Sequence, residues 1–122
     1  MEILIGLTAA FLALALFQKF TAPKVTNVKG SDLDEMIKDK SVKRQFVDVR
    51  TTGEFSANKV KGFMNIPVET LGKRLKELDP EKPVVVMCAS GSRSMKAAKI
   101  LNKAGYKDII NVRGGIATYP GK

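Results

Sequence analysis

The sequence predicts an α/β domain in which a mainly parallel central sheet carries helices on both faces. Short apolar runs alternate with segments of helical periodicity throughout residues 24–122, a pattern typical of parallel sheets. The run at 84–87 is apolar at every position, as a strand covered on both sides requires. Polar loops follow three of the predicted strands, at the sheet edge where such folds bind ligands.

The first half of the domain alternates between extended and helical patterns. Residues 25–28 predict a short strand. Ser31 predicts the N-cap of a helix, because acidic residues fill the first turn that follows and lysines its end. Residues 45–50 form a β-rich run that ends in charge. A short helix or turn from Glu54 and a short extended piece at 62–67 come next.

The second half continues the alternation. Apolar residues at helical spacing predict a helix over 68–78. After the strand at 84–87, a longer helix over 92–104 is closed by Gly105, a residue that favours the position just beyond a helix. Residues 108–112 predict another buried strand, and a Gly-Gly turn then leads into a last short helix that ends near Tyr119.

The composition excludes several kinds of chemistry. A chain of 122 residues forms one domain and little else. Its single cysteine rules out an internal disulfide. The absence of histidine removes Cys–His and Ser–His catalysis, together with histidine metal sites and zinc clusters. We therefore expect no metal and no cofactor.

The formal charge of +9 belongs to residues 24–122, because Glu2 and Lys19 cancel in the segment before them. This charge indicates either a lysine-rich solvated surface or attraction to anionic lipid headgroups or anionic substrates. Nucleic acid is not an expected partner, since the lysines are scattered and no aromatic stripe or recognition motif accompanies them.

Residues 3–17 contain no charge, and a helix over them would be apolar on every face. Such a helix is about 22 Å long, somewhat short of the hydrocarbon core of a bilayer. Lysines follow the run and none precedes it, so the positive-inside rule places the following domain in the cytoplasm. The sequence predicts an uncleaved single-pass anchor in the cell membrane over residues 1–23. A cleaved signal peptide and a buried hydrophobic arm are the alternatives.

The most informative feature is the loop that begins at the only cysteine. It consists of Cys88, Ala89, Ser90, Gly91, Ser92, Arg93 and Ser94. The loop leads from a predicted strand into a predicted helix, so its N–H groups and the helix N-terminus favour a thiolate and a neighbouring anion. We interpret Cys88 as a nucleophile in an anion cradle, with Arg93 as its cationic neighbour.

Each of these residues also has a plain structural interpretation. Cys88 alone could be a small apolar residue that ends a core strand. Arg93 and Arg50 could form surface salt bridges, and Ser92 and Ser94 could serve only as N-cap and first-turn residues. A cysteine phosphatase or arsenate reductase uses a similar loop, but that loop has five residues between cysteine and arginine, and only four stand here.

Two more polar features follow predicted strands. Asp48 and Arg50 come at the end of one strand, and Arg113 with its Gly-Gly pair comes at the end of another. Because the carboxyl ends of parallel strands meet at one edge of a sheet, we expect both features to lie near Cys88.

Four stretches form an ordered set of motifs. They are Val-Asp-Val-Arg-Thr-Thr-Gly-Glu-Phe at 47–55, Gly-Phe-Met-Asn-Ile-Pro at 62–67, the Cys88 loop, and Gly-Gly-Ile with the later tyrosine at 114–119. Together they resemble the single-domain rhodanese (sulfurtransferase) family, over about residues 24–120. The chain departs from the family pattern at two places. The family often has a histidine before the second motif, where this chain has Asn58 and Lys59, and it closes with a tryptophan where this chain has Tyr119. These departures concern partner contacts and the walls of the site.

The resemblance implies a three-layer rhodanese-like fold and a persulfide cycle that uses no cofactor. The Cys88 thiolate would take a sulfane sulfur from a small anionic donor such as thiosulfate, and cyanide or a thiol would then remove it. Backbone N–H groups of residues 89–94 would hold the outer sulfur, and Arg93 would hold the loop or the oxyanion end of the donor. Asp48 and Arg50 would form a structural pair beneath the loop.

Two other interpretations of the domain stay open. One is a partner-binding rhodanese module without catalysis, although such family members typically lack the cysteine. The other is a membrane-tethered persulfide carrier that turns over only with a protein acceptor.

Overall fold

The structure, a computed structural model, describes residues 24–121. Strands and helices alternate along this part of the chain. The strands are β1 (Lys24–Lys29), β2 (Gln45–Asp48), β3 (Met64–Asn65), β4 (Val84–Met87) and β5 (Asp108–Arg113). The helices are α1 (Leu33–Lys38), α2 (Thr52–Ala57), α3 (Val68–Leu71) and α4 (Ser92–Lys103), and 3₁₀ turns occupy Gly30–Asp32, Leu75–Glu77 and Gly115–Thr118.

The strands form one parallel sheet in the order β1-β5-β4-β2-β3. The central strand β4 is rich in valine, whose branched side chain packs well on a pleated surface. Val84 and Val86 face a core cluster that contains α3 and α4, whereas Val85 and Met87 face a second cluster that contains α1. The predicted parallel α/β sheet with helices on both faces is confirmed.

One predicted helix is broken in two. The prediction of a continuous helix over 68–78 is wrong, because α3 ends at Leu71 and a separate 3₁₀ turn follows at Leu75–Glu77. Gly72 comes directly after α3 and has poor helix propensity. The apolar spacing instead marks residues that contact the core, since Leu78 is buried and belongs to the cluster with α3 and α4.

The ends of two other elements differ from expectation. Ser31 is not an N-cap, because it lies inside the 3₁₀ turn Gly30–Asp32 that precedes α1. The carboxylate of Asp32 accepts the N–H of Lys29 at 3.0 Å and so closes that turn. The last predicted helix is the 3₁₀ turn Gly115–Thr118.

The anchor predicted over residues 1–23 lies outside the described residues. Within residues 24–121, no helix has the length and apolar character needed to cross a bilayer.

Candidate active site

Cys88 follows the last residue of β4 and lies beneath the loop that leads into α4. It is 0% exposed. The loop turns back over the sulfur at Gly91, whose φ of 110° falls in the left-handed region that glycine adopts without strain. The N–H of Gly91 then donates to the Sγ of Cys88 at 2.9 Å.

The Gly-Gly turn at 114–115 holds the opposite side of this loop. Directly after the turn, the N–H of Ile116 donates to the carbonyl of Cys88 at 2.8 Å, and the next N–H donates to the carbonyl of Ala89 at 3.3 Å. A carbonyl and the N–H that follows it point in opposite directions across a trans peptide. Docking the Ala89 carbonyl on the turn therefore directs the N–H of Ser90 towards the sulfur, to which it forms a hydrogen bond.

This close approach of two backbone segments requires glycine. A Cβ at Gly115 would collide with the carbonyl of Cys88 and lie 2.6 Å from the carbonyl carbon of Ala89. A Cβ at Gly91 would lie 3.3 Å from the nitrogen of Gly114. The Gly-Gly motif thus serves as the surface on which the cysteine loop is docked.

Ser94, in the first turn of α4, lies beside the thiol and is fully buried. Its Oγ is 3.5 Å from the Sγ of Cys88. Burial raises the pKa of the thiol, but hydrogen bonds from the Ser94 side chain and backbone and from the N–H groups of Gly91 and Ser90 outweigh it. The pKa of Cys88 therefore lies below its ordinary value, and the loop favours the thiolate.

Arg93 is held by Glu54 in a two-pronged ion pair. Its two terminal nitrogens donate to the two carboxylate oxygens at 2.6 and 3.0 Å. Glu54 also forms a capping box with Thr51 at the start of α2. The ion pair lowers the pKa of Glu54 to about 2 and raises the pKa of Arg93. It ties the first turn of α4 to the first turn of α2.

Asp48 and Arg50 form a buried ion pair at the end of β2. They are 0% and 4% exposed, and the shortest contact, from Arg50 Nη2 to Asp48 Oδ2, is 2.7 Å. The same guanidinium donates to the carbonyl of Glu54 in α2 and to the carbonyl of Asn58, directly after that helix. The pair therefore fixes α2, the helix whose Glu54 holds Arg93.

The remaining loop residues differ in their exposure. Ala89 is half-buried, and Ser90 and Ser92 are exposed. The two residues that depart from the family pattern make packing contacts. The Nζ of Lys59 lies 5.4 Å from the ring centroid of Phe55, and Tyr119 packs on the cluster with α1 while its hydroxyl donates to Asp34 at 2.6 Å.

Sequence reasoning missed two residues of the site. Glu54 is recognisable as a capping residue, but its contact with Arg93, 39 residues later, has no local signal. Asn111 lies on β5 and is 3% exposed, yet its side chain accepts a hydrogen bond from Ser94 at 2.6 Å. A polar residue within an otherwise apolar strand was the available signal for it.

A family model described as "Rhodanese-like domain" matches residues 29–120. The chain belongs to this family. This rhodanese-like protein is 39% identical over 80 residues to the uncharacterized protein YqhL of Bacillus subtilis strain 168, a match that covers 66% of this chain and 64% of that protein. It is 32% identical over 89 residues to the thiosulfate sulfurtransferase GlpE of Shewanella oneidensis, covering 73% of this chain and 86% of that one.

Comparison with solved structures also indicates a rhodanese-like fold. Reduced CoADR-RHD of Bacillus anthracis is similar to the rhodanese-like protein with a TM-score of 0.70 and 32% identity, over 78% of this chain and 16% of that chain. Relatives named sulfurtransferases at about one-third identity support a transferase of the rhodanese type.

Proposed function

We propose that the protein is a sulfurtransferase that carries a sulfane sulfur as a persulfide on Cys88. The observation that carries this proposal is the covered cysteine whose Sγ receives the Gly91 N–H at 2.9 Å, within a loop that directs further N–H groups to the same sulfur. The relative named thiosulfate sulfurtransferase GlpE supports thiosulfate as a donor.

The reaction has two steps at one sulfur. The Cys88 thiolate attacks the sulfane sulfur of thiosulfate, the donor's S–S bond breaks, and sulfite leaves with the electron pair. The outer sulfur of the resulting persulfide is anionic, and loop N–H groups stabilise that charge. Cyanide or a thiol then attacks the outer sulfur and returns the Cys88 thiolate. Because Cys88 is 0% exposed, the residues that cover it have to move before the donor reaches the sulfur.

Two features favour sulfur over phosphate as the transferred group. Four residues separate Cys88 from Arg93, which makes a tight loop suited to a single atom. Arg93 is also engaged by Glu54 through both terminal nitrogens, so its planar fork is not free to bind a phosphoryl group.

Steady-state transfer from thiosulfate to cyanide by the full chain tests the proposal. Cys88→Ser is expected to abolish transfer and to keep the melting temperature. Ser92→Ala, at an exposed position of the same loop, is the matched control and is expected to keep both. Transfer by Cys88→Ser above the buffer rate would contradict the assignment.

The complete cover over Cys88 favours a second candidate, a persulfide carrier that opens to a protein acceptor. A carrier would load one sulfur from the donor in a single turnover but would release it to cyanide slowly. Rapid steady-state turnover with cyanide would exclude the carrier and would support an enzyme that acts without a protein partner.

The membrane anchor over residues 1–23 remains part of the proposal, on the uncharged run at 3–17 and the lysines after it. In cells that express Cys88→Ser with Ser41→Cys as an exposed reporter, we expect membrane-bound protein that an impermeant thiol reagent labels only after lysis. Labelling of intact cells, or a mature chain that begins after Ala22, would contradict the anchor.

A further inference from the structure

Asn111 is a buried amide in a strand that is otherwise a core strand. Its neighbours Ile109 and Ile110 belong to the two apolar clusters on opposite faces of the sheet. By the alternation of β5, Asn111 shares the face of Ile109, which is also the face of Cys88. The proposed sulfur transfer assigns this amide no part.

A single line of hydrogen bonds joins Asn111 to the thiol. The S–H of Cys88 donates to the Oγ of Ser94 at 3.5 Å, and the Ser94 hydroxyl donates to the Oδ1 of Asn111 at 2.6 Å. The carbonyl of Gly91 is a second acceptor for the same hydroxyl, at the longer distance of 3.0 Å. The Nδ2 of Asn111 in turn donates to the Oδ1 of Asn27 on β1 at 3.0 Å. Every donor in the line points the same way, from the sulfur towards β1, so the bonds reinforce one another.

The direction of this line decides what the Ser94 hydroxyl offers to the sulfur. A hydroxyl has one proton. While that proton is donated to Asn111, Ser94 presents only lone pairs to Cys88, which suits a thiol and opposes a thiolate. To stabilise the thiolate, the hydroxyl has to leave Asn111, whose buried Oδ1 then loses its donor.

We propose that Asn111, oriented by Asn27, is a positioning residue that competes with the Cys88 sulfur for the Ser94 proton. Its part in catalysis rests on the proposed function. The cysteine proton leaves to solvent and the hydroxyl rotates to the thiolate. When the Sγ–S bond forms and sulfite leaves with the electron pair, the negative charge moves to the outer sulfur, and the hydroxyl returns to Asn111. Asn111 thus limits the stabilisation that the Ser94 hydroxyl gives to the thiolate, while the N–H groups of the loop still hold the pKa of Cys88 below its ordinary value.

Charged groups also lie on the elements around the Cys88 loop. They are Arg93 on α4, whose pKa the Cys88 charge raises, its partner Glu54 on α2, the Asp48–Arg50 pair at the end of β2, Glu69 on α3, and Arg113 at the end of β5. None of them is changed in the variants below, so their influence is common to all.

The test is the pH dependence of iodoacetamide alkylation, measured on the full chain in mild detergent. Asn111→Leu removes the nearer of the two acceptors that compete with the sulfur and leaves the Gly91 carbonyl, with little change of side-chain volume. We expect the pKa of Cys88 to fall by about one unit in this variant. Below both pKa values, alkylation becomes about threefold faster, because the larger thiolate fraction is partly offset by weaker nucleophilicity. Ser94→Ala is expected to raise the pKa.

Asn27→Ala provides a second variant at an exposed position, which keeps the test valid if Asn111→Leu does not fold. Without Asn27 the Asn111 amide is free to turn its Nδ2 towards Ser94, so the pKa is expected to fall by less than in Asn111→Leu. Ile110→Val, on the opposite face of the same strand, is the control and is expected to leave the pKa unchanged.

An unchanged or raised pKa in both asparagine variants would overturn the proposal, as would an unchanged pKa in Ser94→Ala. Alkylation requires no sulfur transfer. If the wild-type chain alkylates as expected across the series but takes no sulfur from thiosulfate, the proposed function fails and the positioning role stands.

Discussion

At the scale of single residues, Arg93 is a brace for the loop. Both of its terminal nitrogens are engaged by Glu54, so a donor that used this guanidinium would first have to displace a carboxylate. Sequence reasoning left two roles open for Arg93, and the ion pair favours holding the loop over holding the donor.

Arg93→Ala and Glu54→Gln are therefore expected to slow sulfur transfer by a similar factor, roughly threefold to tenfold, because each releases the same tie. The double variant is expected to lose no more than either single one, since the two residues act as a unit. Steady-state kinetics with varied thiosulfate makes the comparison. A loss of kcat/KM in Arg93→Ala with full activity in Glu54→Gln would instead assign Arg93 to the donor.

The same ion pair predicts a pH dependence of stability. The pKa of Glu54 is about 2 in the folded chain, below its ordinary value of 4.5. A depressed pKa adds stability that is present above pH 4.5 and is lost as the pH falls towards 2. Both side chains are about one-third exposed, so the contribution is at most about 1 kcal/mol.

Urea unfolding at several pH values measures this effect. We expect wild type to exceed Glu54→Gln in unfolding free energy at pH 7 and the difference to disappear near pH 2. Glu81→Gln, at the exposed pair with Lys107, serves as a control that shows little difference at neutral pH. A Glu54→Gln difference that is constant across this range would contradict the ion pair.

At the scale of elements, the Gly-Gly turn positions the cysteine loop. Gly115→Ala is expected to abolish sulfur transfer, because its Cβ would collide with the carbonyls of Cys88 and Ala89 and its φ of 67° disfavours a side chain. Gly53→Ala is the matched control, since nothing lies within 4 Å of a Cβ there. The kinetic assay and a thermal melt of both variants give the comparison.

Full transfer activity in Gly115→Ala would show that the turn does not hold the loop. A loss of activity in Gly53→Ala equal to that in Gly115→Ala would point to a general effect of replacing glycine rather than to the docking contact.

Strands and helices were predictable where the local sequence pattern and the packing in the folded chain favour the same structure. The valine run of β4 is both β-prone and covered on two faces, so its bounds match the prediction. The prediction of a helix over 68–78 was wrong because apolar residues at this spacing indicate contact with the core and not necessarily a continuous helix. The helix ends beside Gly72, and the residues after it still contact the core.

At the scale of the whole molecule, the buried pair of Asp48 and Arg50 joins β2 to α2. Replacing Arg50 with alanine leaves a carboxylate that is 0% exposed without its cation, and this is expected to cost about 3–5 kcal/mol of unfolding free energy. Lys82→Ala, in an exposed pair with Asp79, is the control and is expected to cost less than about 1 kcal/mol.

Chemical denaturation of both variants supplies the two free energies. Equal and small losses would contradict a buried structural role for Arg50. If Arg50→Ala does not fold, Arg50→Lys keeps the charge without the planar fork, and a partial loss is expected.

The site was only partly predictable from the chain. The cysteine loop and the Gly-Gly turn meet because β4 and β5 are parallel and end at one edge of the sheet. No comparable rule predicts which side chains from distant segments will contact each other. The hold of Glu54 on Arg93 and the approach of Asn111 to Ser94 depend on how helices and strands pack, so they emerged only with the fold.

The central claim is that Cys88 carries the transferred sulfur, and intact mass spectrometry of the full chain after thiosulfate treatment tests it most directly. The account predicts a gain of one sulfur atom on Cys88 that a reducing thiol reverses and that is absent from Cys88→Ser. An unchanged mass in the wild-type chain, or an equal gain in Cys88→Ser, would contradict it.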